Sequence, residues 1–361
     1  MNALMLTLLL AAAPEARNVV IVTLDGLRPA EVFHGGDRAL MRGVENEEGL
    51  VAKYWRDEPD ARRRALLPFL WGTVGRDGQL FGNAARGSPM QVANTRRCSY
   101  PGYGELFAGY ADPRITGNGF GPNPNVTVLE WLNRQPGLEG RVQVFATWDT
   151  FFRIFAVERS GLDVRAGWEP PFAREPERTP TRDALDALFR TTTPLFGGNA
   201  LDAITFAALK ESLRTTHPRV LFLGLGETDE WMHAGRYDLA LEAAHRADAL
   251  IAELWATLQS MDEYRGTTTL LVTTDHGRGV GPDDWRHHGA DVPGSEQVWL
   301  AALGPGVPAL GERTETGALT LAQVAATLAR LVGHDWNAAT PRAAPPVPLE
   351  PRLAWSSQAP R

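Results

Sequence analysis

Three stretches decide the fold: Val19-Val20-Ile21-Val22-Thr23-Leu24 before Asp25, Val220-Leu221-Phe222-Leu223-Gly224-Leu225 before Glu227 and Asp229, and Thr269-Leu270-Leu271-Val272-Thr273-Thr274 before Asp275. Each is a short, uninterrupted apolar run rich in β-branched residues. Such runs suit central parallel strands that are buried on both faces. Between them lie helical patterns, Ala184 to Phe189, Ala200 to Leu213 and Asp238 to Met261, the last with Leu239, Ala243, Ala247, Leu250, Leu254 and Leu258 near helical spacing. A strand over Val298 to Leu303 and a helix over Leu319 to Val332 continue the alternation. The expectation is an α/β fold with a mainly parallel central sheet flanked by helices on both faces. Around residues 141–180 the pattern dissolves into aromatics, Arg and Pro, and reads as an inserted cap.

Outward from these strands, composition narrows the choices. The chain has 361 residues, 43% hydrophobic and 22% charged, enough for a large buried core. Its 36 glycines and 26 prolines are dispersed, which excludes fibrous and low-complexity classes. A formal net charge of -7 argues against nucleic acid as a partner, since no basic stripe is present to replace phosphate counterions. Lys53 and Lys210 are the only lysines, and neither lies in a motif. A single cysteine, Cys98, excludes an intrachain disulfide framework and a thiolate-rich metal site.

The ends are distinct from the body. Leu4 to Ala13 is apolar and too short to span a bilayer, for which about 20 residues are needed. Small residues follow it, so 1–16 reads as a secretory signal and the protein as exported, periplasmic or secreted, although no Lys or Arg precedes the run. Residues 17–338 then read as one large domain, and 339–361, rich in Pro, Ala and Arg, as an extended tail. No stretch between the ends is long and apolar enough for a stable membrane span.

Ligands of open α/β sheets sit beyond the carboxyl ends of the strands, so Asp25, Asp229 and Asp275 are expected to converge. Three bare carboxylates would repel one another, and bound cations remove the difficulty. The histidines indicate which kind. Asp229-Glu230-Trp231-Met232-His233 places a carboxylate and an imidazole on one face of a helix, Asp275-His276 is a second pair, and His287-His288-Gly289 is a further imidazole source. Mixed carboxylate and imidazole ligation without sulfur suits zinc, and less selectively manganese or iron. Opposite them, Cys98-Ser99-Tyr100-Pro101 reads as the start of a helix with Ser99 as cap, where backbone N–H groups favour an anion.

Taken together, Val-Thr-Leu-Asp25-Gly, Ser99-Tyr-Pro-Gly-Tyr followed by Phe107 to Pro113, Asp229-x-x-x-His233, Thr274-Asp275-His276-Gly277 and His288-Gly289 resemble the alkaline phosphatase superfamily, over roughly residues 18–333 and in its order. The likeness is nearest to the nucleotide pyrophosphatase/phosphodiesterase branch, and the segment from Tyr237 to Met261 is also similar to cofactor-independent phosphoglycerate mutases. The resemblance implies an alkaline-phosphatase-like fold and hydrolysis of a small-molecule phosphate ester, monoester or diester, with a two-zinc site. It places one ion on Asp229, His233 and His288 and the other on Asp25, Asp275 and His276, with Ser99 as nucleophile touching the second. It also implies an Asn that holds a substrate oxygen, for which Asn118 is taken over Asn123 and Asn125. Ser stands where the phosphodiesterase branch usually carries Thr, which leaves the substrate class open. The rival readings are a sulfatase, disfavoured because Cys98 lies one position early and Tyr103 replaces the signature Arg, a mutase-like phosphotransferase, and an inactive metal-binding module.

Overall fold

The computed structural model describes residues 16–350. The apolar run Leu4–Ala13 and the end of the tail, 351–361, lie outside the described residues. Ten strands are described: β1 (Asn18–Leu24), β2 (Gln79–Phe81), β3 (Met90–Gln91), β4 (Val142–Ala146), β5 (Asp163–Ala166), β6 (Val220–Leu225), β7 (Thr268–Thr273), β8 (Leu300–Leu303), β9 (Gly311–Glu312) and β10 (Leu319–Thr320). Eight of them form one sheet in the order β5-β4-β6-β1-β7-β8-β2-β9, and β3 pairs with β10 separately. Only β8 runs against the others, pairing antiparallel with β7 and β2.

The three apolar runs are the centre of this sheet. Val19 pairs with Val220 on one side and Thr269 on the other, and every residue of β1, β6 and β7 is buried. Alternate side chains feed two cores. Val20, Val22 and Leu24 join one with the helices Asp202–Thr216 and Tyr237–Ser260, while Val19 and Ile21 join the other with the helices Ser99–Ala108 and Gln323–Leu331. Side chains alternate along a strand, so a strand with helices on both faces must be apolar at every position.

Residues 141–180 are not a cap set apart from the sheet. They contribute β4 and β5, which extend it in parallel beyond β6. Gln143 and Arg165 hid these strands: both are polar, yet Gln143 accepts from Ser212 and Thr216 hydroxyls, and Arg165 pairs with Asp163 and Glu175. Phe151 is core, and Trp168 packs edge to face on Phe189. The described part of the tail lies against the body, with Val347 buried and its N–H donated to Thr327 Oγ1. The segment Leu319 to Val332 divides into β10 and the helix Gln323–Leu331, not one helix.

Candidate active site

The sheet order sets β1 between β6 and β7, so the carboxylates that follow the three strands meet at one end. Asp25 follows β1, Asp275 follows Thr274 just beyond β7, and Asp229 lies in the first turn of the helix Glu227–His233 after β6. Gly26 N–H donates to Asp275 Oδ1 at 3.1 Å, tying the first loop to the third. Gly26 has φ +60°, and a Cβ there would lie 2.5 Å from Asp229 Oδ1. Only glycine lets the first loop pass beneath that carboxylate.

Ser99 comes to the same place on the other layer. The helix Ser99–Ala108 begins with Cys98 as N-cap, and Ser99 is its first residue, so Ser99 does not cap the helix as expected. Asn118 Oδ1 instead accepts the Tyr100 N–H at 2.9 Å, which leaves the serine hydroxyl free. Ser99 Oγ lies 3.2 Å from His276 Nε2. The helix approaches this closely because residue 102 is glycine: a Cβ on Gly102 would meet the Asp275 carbonyl oxygen at 2.3 Å.

Two groups of donors face Ser99. In the inner one, Asp25, Asp275 and His276 are all buried, and His276 Nε2 lies 3.4 Å from Asp25 Oδ1 and 3.4 Å from Asp275 Oδ2. His276 Nδ1 is 2.9 Å from the Gly277 carbonyl, so the proton belongs on Nδ1 and the Nε2 lone pair points into the cluster. In the outer one, His233 Nε2 lies 3.2 Å from Asp229 Oδ2 and 3.0 Å from His288 Nε2. His288 and His276 stack with ring centroids 4.0 Å apart, and His276 Nε2 is 3.9 Å from Asp229 Oδ1. Donor atoms of Asp25, Asp275 and His276 lie within 4.8 Å of one another, and so do those of Asp229, His276 and His288.

Electrostatics mark the inner group as short of positive charge. Burial, with Asp275 and Asp229 nearby, holds Asp25 well above the usual carboxylate range, and burial with Asp229 pushes Asp275 up to about 7. Asp25 Oδ1 and Asp275 Oδ2 are sealed from water without a hydrogen-bond partner. Buried, unpaired acceptors of this kind are costly, and a cation among them removes the cost. The donor set therefore fits a divalent ion. Asp229 differs: burial opposes its ionisation, but the Arg278 guanidinium, His233 and His276 hold it well below the usual range. Burial pushes His288 down to about 2, so its imidazole is neutral and free to ligate.

All seven residues expected to touch metal thus assemble at one strand-end site, and Asn118 sits beside them at the head of the Ser99 helix. Asn123 and Asn125 are buried elsewhere, bonded to the Ile154 carbonyl and to Asp112. Three contributors were not anticipated. Tyr103, on the helix turn after Ser99, donates to Asp25 Oδ2 at 3.1 Å. Glu105 gathers the Ala93 and Asn94 N–H groups, and Asn94 Oδ1 in turn accepts from Arg96 and Arg97, shaping the approach to Ser99. Arg278, two residues past His276, pairs with Asp229.

No family model and no curated protein matches this chain by sequence. Solved structures do match by shape. A phosphonate monoester hydrolase of Agrobacterium radiobacter aligns with a TM-score of 0.51 at 13% identity, over 88% of this chain and 74% of that one. A 2-O GAG sulfatase aligns at 0.51 and 11%, over 89% and 71%, and a lipoteichoic acid synthase from Listeria monocytogenes at 0.50 and 12%, over 89% and 73%. The fold is alkaline-phosphatase-like, a class whose solved members include hydrolases of phosphorus and sulfur esters. These likenesses do not single out a branch.

Proposed function

We propose that the protein is a metal-dependent hydrolase of small phosphate esters, with Ser99 as nucleophile. The observation that carries this reading is the Ser99 hydroxyl, 3.2 Å from His276 Nε2 at the head of a helix that faces two carboxylate and imidazole clusters. Asp25, Asp275 and His276 would hold one divalent ion, and Asp229, His233 and His288 the other, zinc being the ion that this donor set suits best. When bound, two dications supply positive charge to the attacking and departing oxygens of an in-line displacement.

The chain's own residues do the rest. Ser99 Oγ forms the new bond to phosphorus as the ester oxygen departs, and water then cleaves the phosphoserine. The helix Ser99–Ala108 presents its positive end to the phosphoryl oxygens. Tyr103 fixes the Asp25 rotamer through Oδ2, and Asn118, exposed beside Ser99, is placed to meet a substrate oxygen.

Sulfate ester hydrolysis is disfavoured by the position of Cys98. It is the helix N-cap, its thiol is pushed up to about 11 by burial, and Ser99 occupies the position facing His276. The test compares p-nitrophenyl phosphate, bis-p-nitrophenyl phosphate and p-nitrophenyl sulfate on the metal-loaded full chain. Phosphate esters should turn over, and Ser99→Ala should lose roughly a thousandfold or more in kcat while keeping its metal. Retained turnover in that variant removes Ser99 as nucleophile, and preference for the sulfate replaces this reading with the sulfatase. The run Leu4–Ala13 supports export, which N-terminal sequencing of the exported fraction checks.

A further inference from the structure

Among the described residues, Arg278 is the one strong cation inside the site, and the two-ion reading above does not use it. Its side chain is fully buried. One terminal nitrogen, Nη2, donates to Asp229 Oδ1 and, at 3.2 Å, to the Asp229 carbonyl, while Nη1 donates to the Arg286 carbonyl. The guanidinium is thus anchored on both sides, and its Nε has no partner. It cannot swing away as an ion arrives.

We propose that Arg278 makes the two metal positions unequal: the inner one fills by itself, and the outer one fills tightly only together with a phosphate-like dianion. This rests on the two-ion reading and specifies how that site is loaded. The charge count carries it. The inner donors bring two carboxylates, Asp25 and Asp275, each with a buried oxygen that nothing meets, so a dication there is neutralised. The outer donors bring one carboxylate, Asp229, whose charge Arg278 already balances, and two imidazoles that bring none. The next carboxylate outward, Glu230, is half-buried and tied by Oε1 to Asn199 Nδ2, and it is not among the donors. A second dication would therefore stand beside a buried guanidinium and the first ion with its charge unmet. Beside a guanidinium that water does not reach, that repulsion is only partly screened, and a phosphate dianion seated between Ser99 and the outer histidines cancels it. Reciprocity then requires that the outer ion tighten phosphate by the same factor.

Calorimetric titration of zinc into the metal-free full chain, with and without phenylphosphonate, tests this without any turnover. One tight ion is expected alone, with the second tightening by about tenfold or more once phenylphosphonate is present. Two equal sites in its absence, or a second site indifferent to it, overturn the proposal. If zinc binds nowhere, the functional reading fails as well. Arg278→Met should let the second ion bind without phenylphosphonate, while Arg278→Lys, which keeps the charge, should preserve the coupling. Should Arg278→Met not fold, the wild-type titrations decide the matter alone.

Discussion

At the ends of β1 and β7, Asp25 and Asp275 are sealed from water with one oxygen each that no donor meets, whereas Glu105 and Asp248 are equally buried and fully answered. Glu105, on the Ser99 helix, takes N–H groups from Ala93, Asn94 and Ala322 and the Asn94 amide. Asp248, in the helix Tyr237–Ser260, accepts Phe69 and Leu70 N–H at 2.7 and 2.9 Å. A folded chain seldom leaves buried acceptors unmet. Where it does so twice within one strand-end cluster, a partner from outside the chain is implied; where it does not, the carboxylate serves the scaffold. In sequence, strand-end position singles out Asp25 and Asp275, but only the structure shows that their oxygens go unmet while those of Glu105 and Asp248 are answered.

Substitutions that keep shape and remove charge should separate the two classes. The largest effect is expected for Asp25→Asn or Asp275→Asn, which should lose the inner ion by elemental analysis and roughly a thousandfold in kcat/KM for p-nitrophenyl phosphate. Stripped of metal, these variants should melt no lower than the wild type, because a charge that nothing balanced has gone. Metal content equal to that of the wild type in both variants would contradict the ligand set. Glu105→Gln puts an NH2 donor against N–H groups that need an acceptor, and should cost about 2 kcal/mol by denaturant titration with the metal retained. His233→Ala removes one half-exposed outer ligand and should lower affinity for the second ion about 10- to 100-fold, leaving the first unchanged.

The smallest effect is a pH dependence in the scaffold. Burial pushes Asp248 up to about 7, against the two N–H donors that lower it. A carboxyl whose folded pKa is raised favours the fold in its protonated form. Its contribution is therefore complete below about pH 4, the unfolded value, and is lost as pH rises through about 7. The Tm advantage of wild type over Asp248→Asn should shrink between those limits, and a difference that grows with pH would reverse the assignment.

How much of this was legible in sequence follows from which interactions are local. Three apolar runs each ending in a carboxylate were enough to place central strands and to predict that Asp25, Asp229 and Asp275 converge. The pair Asp229 and His233 was readable because helical spacing puts both on one face. By contrast, β4 and β5 were missed because polar Gln143 is answered by Ser212, far away in sequence, and Arg165 by Asp163 and Glu175, and Ser99 was misread as a cap because Asn118, nineteen residues on, takes that task.

By itself, the sequence determined the strand cores, the site's acids and imidazoles and their order, since these depend on periodicity and on the residue that ends each strand. Only the tertiary structure decided that β1 lies between β6 and β7, that Gly102 lets the Ser99 helix close on Asp275, and that Arg278 reaches Asp229 across 49 residues of chain. Those are long-range choices among side chains of similar local propensity. What selects them is the cost of leaving charge and hydrogen-bonding groups unmatched once water has been excluded.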